Sequence, residues 1–310
     1  MKETKKEIQY RYYEMPQDSP ILALLGSGWI RPYGSDLDAL HFHNYLEIGY
    51  CYDGDGDLVL DEDKYRYTNH SFSVIPANFP HNTVAEQGTK SRWEYLFVDV
   101  ESFLNATYSG NQNFANNLIA RINSKAQLFQ HDDYKKMATL ILDLMDLYRQ
   151  KEELYLECAK GLLLALLIHI ASLQPKALLP IDSVHSSNKA IMQALYFINK
   201  NYKDKIQISD IADACNLSET HFRRLFNQYL HMSPLAYINL VRIEAACKML
   251  KTSISPIQDI AVACGFLTLP SFNRNFRELM GVTPGQWRKD TAYFEKQLEK
   301  QHIMVFNGWQ

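Results

Sequence analysis

Four side chains in the first third of the sequence have types and spacing that suit a metal site or a polar ligand pocket. His41, His43 and Glu47 all have odd numbers, so on one strand they would point to the same side, and His81 follows later. Three imidazoles and one carboxylate suit iron, manganese, nickel or zinc. The same groups also occur as packed polar residues or as pocket lining. We predict pocket lining with no bound metal or other cofactor, and keep His41, His43, Glu47 and His81 as the metal candidates.

Aromatic and charged residues flank this cluster in the sequence. Flat rings together with Arg, His and Glu are suited to stacking on sugar rings and to bonding their hydroxyl groups. The alternative is that the aromatic residues form the core of a barrel. We predict a small polar effector, with a carbohydrate as the first candidate. The predicted effector-binding residues are Trp29, Arg31, Tyr33, His41, His43, Glu47, His81, Trp93 and Tyr95.

A second set of polar side chains lies in a sequence repeat. Residues 208–215 return 49 positions later as 257–264, with matched isoleucines, alanines and a cysteine. The Phe-x-Arg-x-Phe run at 222–226 returns 50 positions later at 272–276. A repeat of this kind indicates one structural unit used twice.

Each copy has the pattern of a helix-turn-helix. A short helix is followed by Asn216 or Gly265, residue types that tolerate a left-handed backbone. Ser218 or Thr268 then suits the N-cap of a second helix, predicted at 219–229 and 269–279.

The polar face of each second helix could contact DNA. Arg can bond a guanine edge twice and Asn an adenine edge twice. Residues 188–290 hold 13 Lys and Arg against 8 Asp and Glu, although the whole chain has a net charge of −3. This local excess favours a polyanionic partner, and chance unevenness is the alternative. The predicted DNA-binding residues are Thr220, Arg223, Arg224, Ser271, Asn273, Arg274 and Arg277.

At these residues the sequence resembles the C-terminal domain of AraC/XylS-type transcription regulators, over about residues 188–290. The closing Gly-Val-Thr-Pro-x-x-Trp-Arg at 281–288 belongs to the resemblance. It departs from the family pattern at Asn216, where glycine is commoner, and at His231, which replaces the usual glycine and is expected to strain a helix C-cap. Leu269 and Pro270 open the second recognition helix with an apolar, rigid pair. The resemblance implies double-stranded DNA as partner, RNA polymerase contact and activation.

The histidine cluster resembles the signature of cupins, in which two His, a Glu and a later His bind a metal inside a barrel. The run 76–81 departs from that signature, because Asn78 stands where glycine is usual. The resemblance implies a cupin-like fold, and AraC-type regulators commonly resemble cupins without using a metal.

These patterns together predict a multidomain α+β protein. An N-terminal cupin-like antiparallel β-barrel with a helical dimerisation segment precedes a C-terminal all-α double helix-turn-helix domain. The predicted parts are an N-terminal arm at 1–28, the ligand-sensing barrel at 29–105, the helical dimerisation segment at 106–174, a linker at 175–187, the DNA-binding domain at 188–290 and a C-terminal helical tail at 291–310. We expect a homodimer.

Composition narrows the class of protein. Five cysteines without a C-x-x-C motif favour a reducing cytoplasm, and Cys158, Cys215 and Cys264 lie in apolar helical patterns that predict core positions. The start of the sequence lacks an apolar signal core, and the apolar run 161–173 is too short to span a bilayer. We therefore predict a cytoplasmic protein without a membrane partner.

The leading interpretation is a ligand-responsive, sequence-specific transcription regulator, an activator rather than an enzyme. One alternative is a metal-dependent cupin enzyme fused to a DNA-binding domain. Another is a constitutive DNA-binding protein whose barrel only dimerises.

Overall fold

The computed structural model describes residues 9–13, 15–16, 18–26, 40–60, 63–173, 186–230, 232–289 and 303–307. The chain divides into two compact units, Met1–Leu179 with Ile303–Val305, and Pro180–His302 with Phe306–Gln310. The division falls in the segment predicted as a linker, of which 175–185 lie outside the described residues.

Two sheets form the frame of the first unit. Their strand orders are β11-β1-β3-β8-β5-β6 and β10-β7-β4-β9-β2. β1 runs parallel to β3, whereas β4, β5, β8 and β9 pair antiparallel with their neighbours. The predicted antiparallel cupin-like architecture is confirmed. The strands are β1 (Gln9–Tyr13), β2 (Ile21–Leu24), β3 (His41–His43), β4 (Leu46–Asp53), β5 (Gly56–Leu60), β6 (Asp63–Tyr67), β7 (Ser71–Ile75), β8 (His81–Ala85), β9 (Arg92–Val98), β10 (Gln127–Gln130) and β11 (Ile303–Asn307).

The five-stranded sheet is buried on both faces. On β4, Ile48 and Tyr50 belong to one core cluster, and Cys51 belongs to a second cluster that contains Trp93. On β9, Leu96 joins the first cluster. Side chains alternate along a strand, so every second side chain of each strand packs against the helices and the others face the space between the sheets.

Four helices cover the outer face of this sheet. Ile141, Leu144 and Leu167 share a core cluster with Phe72 and Leu96 of the sheet. Burying a side chain of this size contributes about 1.5–3 kcal/mol relative to leaving it exposed. The helices are α1 (Val100–Thr107), α2 (Gln112–Ile122), α3 (Lys135–Gln150) and α4 (Tyr155–Ser172).

Helix α4 is long and apolar enough to cross a membrane when only its length and composition are considered. Its residues Leu163, Leu166, Leu167 and Ile170 are buried in the core cluster shared with the sheet. The helix therefore packs as a core helix of the first unit.

An ion pair between a buried glutamate and an exposed arginine ties α3 to the sheet. Glu94 on β9 is completely buried, and Arg149 of α3 forms an ion pair with its Oε2. The backbone N–H of Gly26 donates to Oε1 at 2.8 Å, and Arg149 Nη2 donates to the Tyr52 hydroxyl at 2.9 Å. Burial raises the pKa of Tyr52 to about 12, so this hydroxyl stays protonated and neutral at physiological pH. Removing Arg149 would leave the buried Glu94 carboxylate without its counter-charge.

Several predicted boundaries differ from the structure. The predicted arm contains β1 and β2, which are strands of the two sheets, and the predicted helical segment contains β10, which pairs with β7. In the tail predicted as helical, Ile303–Asn307 is a strand beside β1. These short strands pair with distant partners, so no local periodicity identifies them. Cys158, predicted as a core residue, is exposed on α4, whereas Cys215 and Cys264 are buried.

The second unit is helical, and its long helix α8 contacts both copies of the repeat. Phe226 lies 5.7 Å from Tyr237, and Phe276 lies 6.2 Å from Trp287, between ring centroids. These two pairs are related by the 50-residue offset of the sequence, so the repeat is also a repeat of packing. The helices are α5 (Ser186–Asn201), α6 (Ile208–Ala214), α7 (Glu219–Leu230), α8 (Pro234–Thr252), α9 (Ile257–Ala263), α10 (Leu269–Met280) and α11 (Pro284–Lys289).

The turn of each copy has the predicted left-handed residue. Asn216 has φ of 56° and Gly265 has φ of 88°. A Cβ at Gly265 would also lie 2.5 Å from the carbonyl oxygen of Tyr202. Both the left-handed backbone and this close contact therefore favour glycine at position 265. Thr268 caps α10, because its hydroxyl accepts from the backbone N–H of Ser271. The predicted strain at His231 falls outside the described residues.

Replacing Gly265 by alanine should destabilise the second unit more than replacing Gly281. Both glycines have left-handed backbones, with φ of 88° and 71°, but a Cβ at Gly281 has nothing within 4 Å. Gly281→Ala should therefore cost only the backbone strain, about 1–3 kcal/mol, and Gly265→Ala should cost more because Tyr202 must also move. The measurement is urea unfolding followed by far-UV circular dichroism. Equal losses in the two variants would contradict the close approach to Tyr202.

Candidate functional site

The structure brings the four metal candidates together between the two sheets. His41 and His43 lie on β3, His81 lies on β8 opposite His41, and Glu47 comes from β4 of the other sheet. One ligand atom from each residue can be chosen so that all four lie within 4.8 Å of one another. The four residues are at most 7 % exposed. A cluster this compact and this dry can bind a small cation or the polar groups of a ligand.

Backbone carbonyls fix the orientation of two imidazoles. His43 Nδ1 lies 2.9 Å from the carbonyl oxygen of Tyr45, and His81 Nδ1 lies 2.8 Å from that of Phe79. A carbonyl oxygen only accepts, so each Nδ1 carries the proton and donates. The other nitrogens, Nε2, lie 3.1 Å and 3.5 Å from the same carboxylate oxygen, Oε2 of Glu47.

Burial and neighbouring charge set the ionisation of this cluster. Burial lowers the pKa of His43, although the hydrogen bond and charge of Glu47 act in the opposite direction. Burial alone would raise the pKa of Glu47, but His81 and His43 lower it below its usual value. The two shifts favour an ionised carboxylate and a neutral His43 ring.

The turn before His81 contains a residue with a left-handed backbone. Asn78 stands where that signature has glycine, and its φ is 61°, a left-handed conformation that Asn tolerates. Its backbone N–H donates to the carbonyl oxygen of His43 at 2.7 Å, which joins the turn to β3. The departure seen in the sequence therefore leaves the position of His81 intact.

Arg11 is a member of this site that sequence reasoning missed. Its Nη1 lies 3.1 Å from His41 Nε2, and a guanidinium can only donate. Arg11 belongs to β1, which pairs in parallel with β3. No local signal could have found it, because a parallel pairing between residues thirty positions apart leaves no periodic pattern in the sequence.

The predicted aromatic residues divide into several groups. Trp93 is 1 % exposed and belongs to the core between the sheets, as the alternative interpretation expected. Tyr95 is half-buried and stacks on Trp93 with ring centroids 6.1 Å apart. Phe97, which we did not predict, continues this row and lies 5.1 Å from His43 between ring centroids. Trp29, Arg31 and Tyr33 lie outside the described residues.

The two predicted recognition helices expose their polar residues and bury their phenylalanines. In α7 and α10 the buried residues are Phe222, Phe226, Phe272 and Phe276. The predicted DNA-binding residues Thr220, Arg223, Arg224, Asn273, Arg274 and Arg277 are exposed, and Ser271 is half-buried at the helix start.

Local contacts distinguish these polar residues from one another. Arg223 pairs with Glu219 at 2.7 Å, one turn earlier in α7. Asn273, Arg274 and Arg277 line an open groove of about 730 Å³. Asn275 is buried and its side chain donates to the backbone of α10, so it is structural although it is an asparagine in a recognition helix.

Comparison with known families assigns both units. Residues 33–165 match the AraC-like ligand binding domain, and residues 211–290 match the helix-turn-helix domain. The first match covers the cupin-like sheets with most of their helical layer, and the second covers both copies of the repeat.

Curated relatives are regulators from several bacteria. An HTH-type transcriptional regulator of Staphylococcus aureus described as uncharacterised is 23 % identical over 84 % of this chain and 32 % of its own length. The regulator GbdR of Pseudomonas aeruginosa is 30 % identical over 36 % of this chain and 30 % of its own. The lactose operon transcription activator of Staphylococcus xylosus is 29 % identical over 36 % of this chain and 39 % of its own.

The matched regions therefore span about a third of the length of these relatives. Among these three, the Staphylococcus aureus alignment covers 84 % of this chain, whereas each of the other two covers 36 %. The chain therefore carries an AraC-like ligand-binding domain followed by an AraC-type helix-turn-helix domain.

Proposed function

We propose that this protein is a sequence-specific transcription regulator that responds to a small polar effector. The observation that carries the proposal is the pair of recognition helices on one scaffold, each with buried phenylalanines and an exposed polar face. The curated relatives described above are named as transcriptional regulators, so the proposal contains no catalytic step.

Helix α8 sets the distance between the two recognition helices. It has 19 residues, which corresponds to a length of about 28 Å. Successive major grooves on one face of B-DNA lie about 34 Å apart. A rigid helix of this length can place α7 and α10 in neighbouring grooves.

The polar faces of the two helices differ, so the DNA site of one chain should be asymmetric. Thr220 and Arg223 in α7 correspond to Pro270 and Asn273 in α10, whereas Arg224 and Arg274 are the arginines shared by both. Since Arg223 is paired with Glu219, Arg224 is the more available of the two arginines in α7. We assign base contacts first to Arg224 and Arg274, and supporting contacts to Thr220, Arg223, Ser271, Asn273 and Arg277.

The effector site is proposed between the two sheets, near Tyr95 and the His/Glu cluster. Tyr95 is half-buried and continues the row of rings that reaches His43 through Phe97. A stacking surface beside buried polar groups suits a carbohydrate. The name of the lactose operon activator adds support, although that match covers only 36 % of this chain. An effector can shift the protein only if it binds one arrangement better than another, and β1 is the proposed moving part because Arg11 reaches the cluster.

A homodimer through α4 completes the proposal. The exposed side of this apolar helix carries Cys158, Gly161, Ala165 and Ile168, with Leu154 just before the helix start. These residues are three or four positions apart and form one stripe. Small residues at its centre allow a second α4 to approach closely. Activation, contact with RNA polymerase and a cytoplasmic location are proposed from the AraC type of the two domains.

Arg224→Ala and Arg274→Ala should each weaken DNA binding by about 1–3 kcal/mol, because each removes a base-contacting guanidinium. The target is first obtained by selecting bound sequences from random DNA. Affinity for that sequence is then measured at fixed salt, with Arg66→Ala, on an exposed arginine of the first unit, as the control. Each variant should relax sequence preference at a different part of the site. Unchanged affinity and preference in both variants would contradict the assignment.

A carbohydrate effector should raise the melting temperature of the first unit. At a ligand concentration 100-fold above the dissociation constant the stabilisation is about 2.7 kcal/mol. A panel of mono- and oligosaccharides is screened by thermal shift against the full chain. Tyr95→Leu should abolish the shift, whereas Tyr65→Phe on an exposed strand should retain it. If no sugar in the panel produces a shift, the carbohydrate proposal is wrong and the DNA-binding proposal is unaffected.

A charge in the stripe of α4 should separate the dimer. Ala165→Glu places a carboxylate in the proposed interface, whereas Thr139→Glu places one on the exposed side of α3 in the same helical layer. Sedimentation should show a dimer for the unaltered protein and for Thr139→Glu, and a monomer for Ala165→Glu. A monomeric unaltered protein, or a dimer that tolerates Ala165→Glu, would contradict the interface.

A further inference from the structure

Two imidazoles and a carboxylate at the centre of the first unit present lone pairs to one another. The Nδ1 atoms of His43 and His81 donate to backbone carbonyls, so in the neutral rings both Nε2 atoms are acceptors. Both face Oε2 of Glu47, which is also an acceptor. Acceptors that face each other inside a protein repel, and that repulsion is strong where water is excluded.

The geometry leaves the His81 nitrogen without a donor. Within the described part of the chain, His81 Nε2 is buried and makes no hydrogen bond, at 3.5 Å from Glu47 Oε2. The ring is 1 % exposed, so bulk water cannot serve it. A single extra proton would satisfy only one of the two contacts, because on His43 it leaves His81 facing the carboxylate and on His81 it leaves His43 facing it. One cation placed among the three groups would satisfy all of them.

We propose that His41, His43, Glu47 and His81 bind one divalent first-row transition-metal ion. Three imidazole nitrogens and one carboxylate oxygen match the ligands of zinc, iron, manganese, cobalt or nickel, whereas calcium and magnesium require sets made of oxygen. The hydrogen bonds from His43 and His81 to backbone carbonyls are the outer contacts that orient metal-bound imidazoles. The four residues also belong to the proposed effector pocket, but the test below measures metal content and depends on neither an effector nor DNA binding.

Arg11 opposes the ion and couples it to strand β1. Its guanidinium donates to His41 Nε2, and this cation is next to the position that the metal would take. If the metal binds through His41 Nε2, Arg11 must move away from that atom. If the metal binds through the other nitrogen of His41, the positive charge of Arg11 still repels the ion. Because Arg11 belongs to β1, occupancy of the metal site should weaken the docking of β1 against β3.

The test is the metal content and affinity of the full chain. The protein is stripped with a chelator, reloaded separately with Zn²⁺, Mn²⁺, Co²⁺, Ni²⁺ and anaerobic Fe²⁺, desalted and measured by elemental analysis. At least one ion should bind at about one per chain. The Co²⁺ form should show visible absorption bands from nitrogen and oxygen ligands. A content close to zero for all five ions would overturn the proposal.

Matched variants locate the ion. Glu47→Gln and His81→Gln should each reduce affinity by more than about 100-fold, since removing a ligand costs more than removing an outer contact. His70→Gln is the control, because His70 and His131 flank the Tyr50 hydroxyl and form a separate histidine pair. It should bind metal like the unaltered protein. Loss of the ion in His70→Gln with retention in Glu47→Gln would place the metal at that other pair and overturn the assignment.

Two further measurements separate lost ligation from lost folding. In chelator, Glu47→Gln should melt no lower than the unaltered protein, because its amide can donate to an imidazole nitrogen. Arg11→Met keeps the apolar stem and should bind the metal at least about tenfold more tightly, since the opposing charge is gone. Weaker binding in Arg11→Met would overturn the competition between Arg11 and the ion.

Discussion

Burial of both faces of the five-stranded sheet is the constraint on which the first unit depends. Along β4 and β9 every second side chain must fit the helical layer, and the others must fit the space between the sheets. Leu96 and Ile48 therefore pack with α3 and α4, whereas Trp93 faces the interior. Glu94 faces the helical layer and is stabilised there by Arg149. Glu47 of the same sheet is also buried, but it faces the space between the sheets and its neighbours are histidines.

In the second unit, the residues that recur between the two copies are the ones that build the fold. The phenylalanine pairs, the left-handed turn residues and the Tyr237 or Trp287 ring recur at fixed offsets, and these residues are buried or shape the backbone. Residues on the exposed sides of α7 and α10 do not contribute to that packing and are free to differ. One scaffold can thus present two different polar surfaces at a separation set by α8.

Much of this architecture could be predicted from the sequence because its signals are local. The repeat predicted the ends of α7 and α10 to within one residue, since helical periodicity and capping act over a few positions. His41, His43 and Glu47 do lie together, but the prediction that they share one strand was wrong, because Glu47 belongs to β4 of the other sheet. Arg11 and the strands β1 and β10 were missed because their partners are far away in the chain. Trp93 was predicted to bind the effector but lies in the core, and the sequence could not separate the two because both environments favour the same residue type.

The exposure of Cys158 has a practical consequence. The other four cysteines, Cys51, Cys215, Cys247 and Cys264, are buried, and burial raises the pKa of each of their thiols. In a single chain, a thiol-directed reagent therefore meets one accessible sulfur, near the N-terminal end of the outward stripe of α4. A fluorophore or spin label attached there would report on this surface without any cysteine having to be removed from the chain.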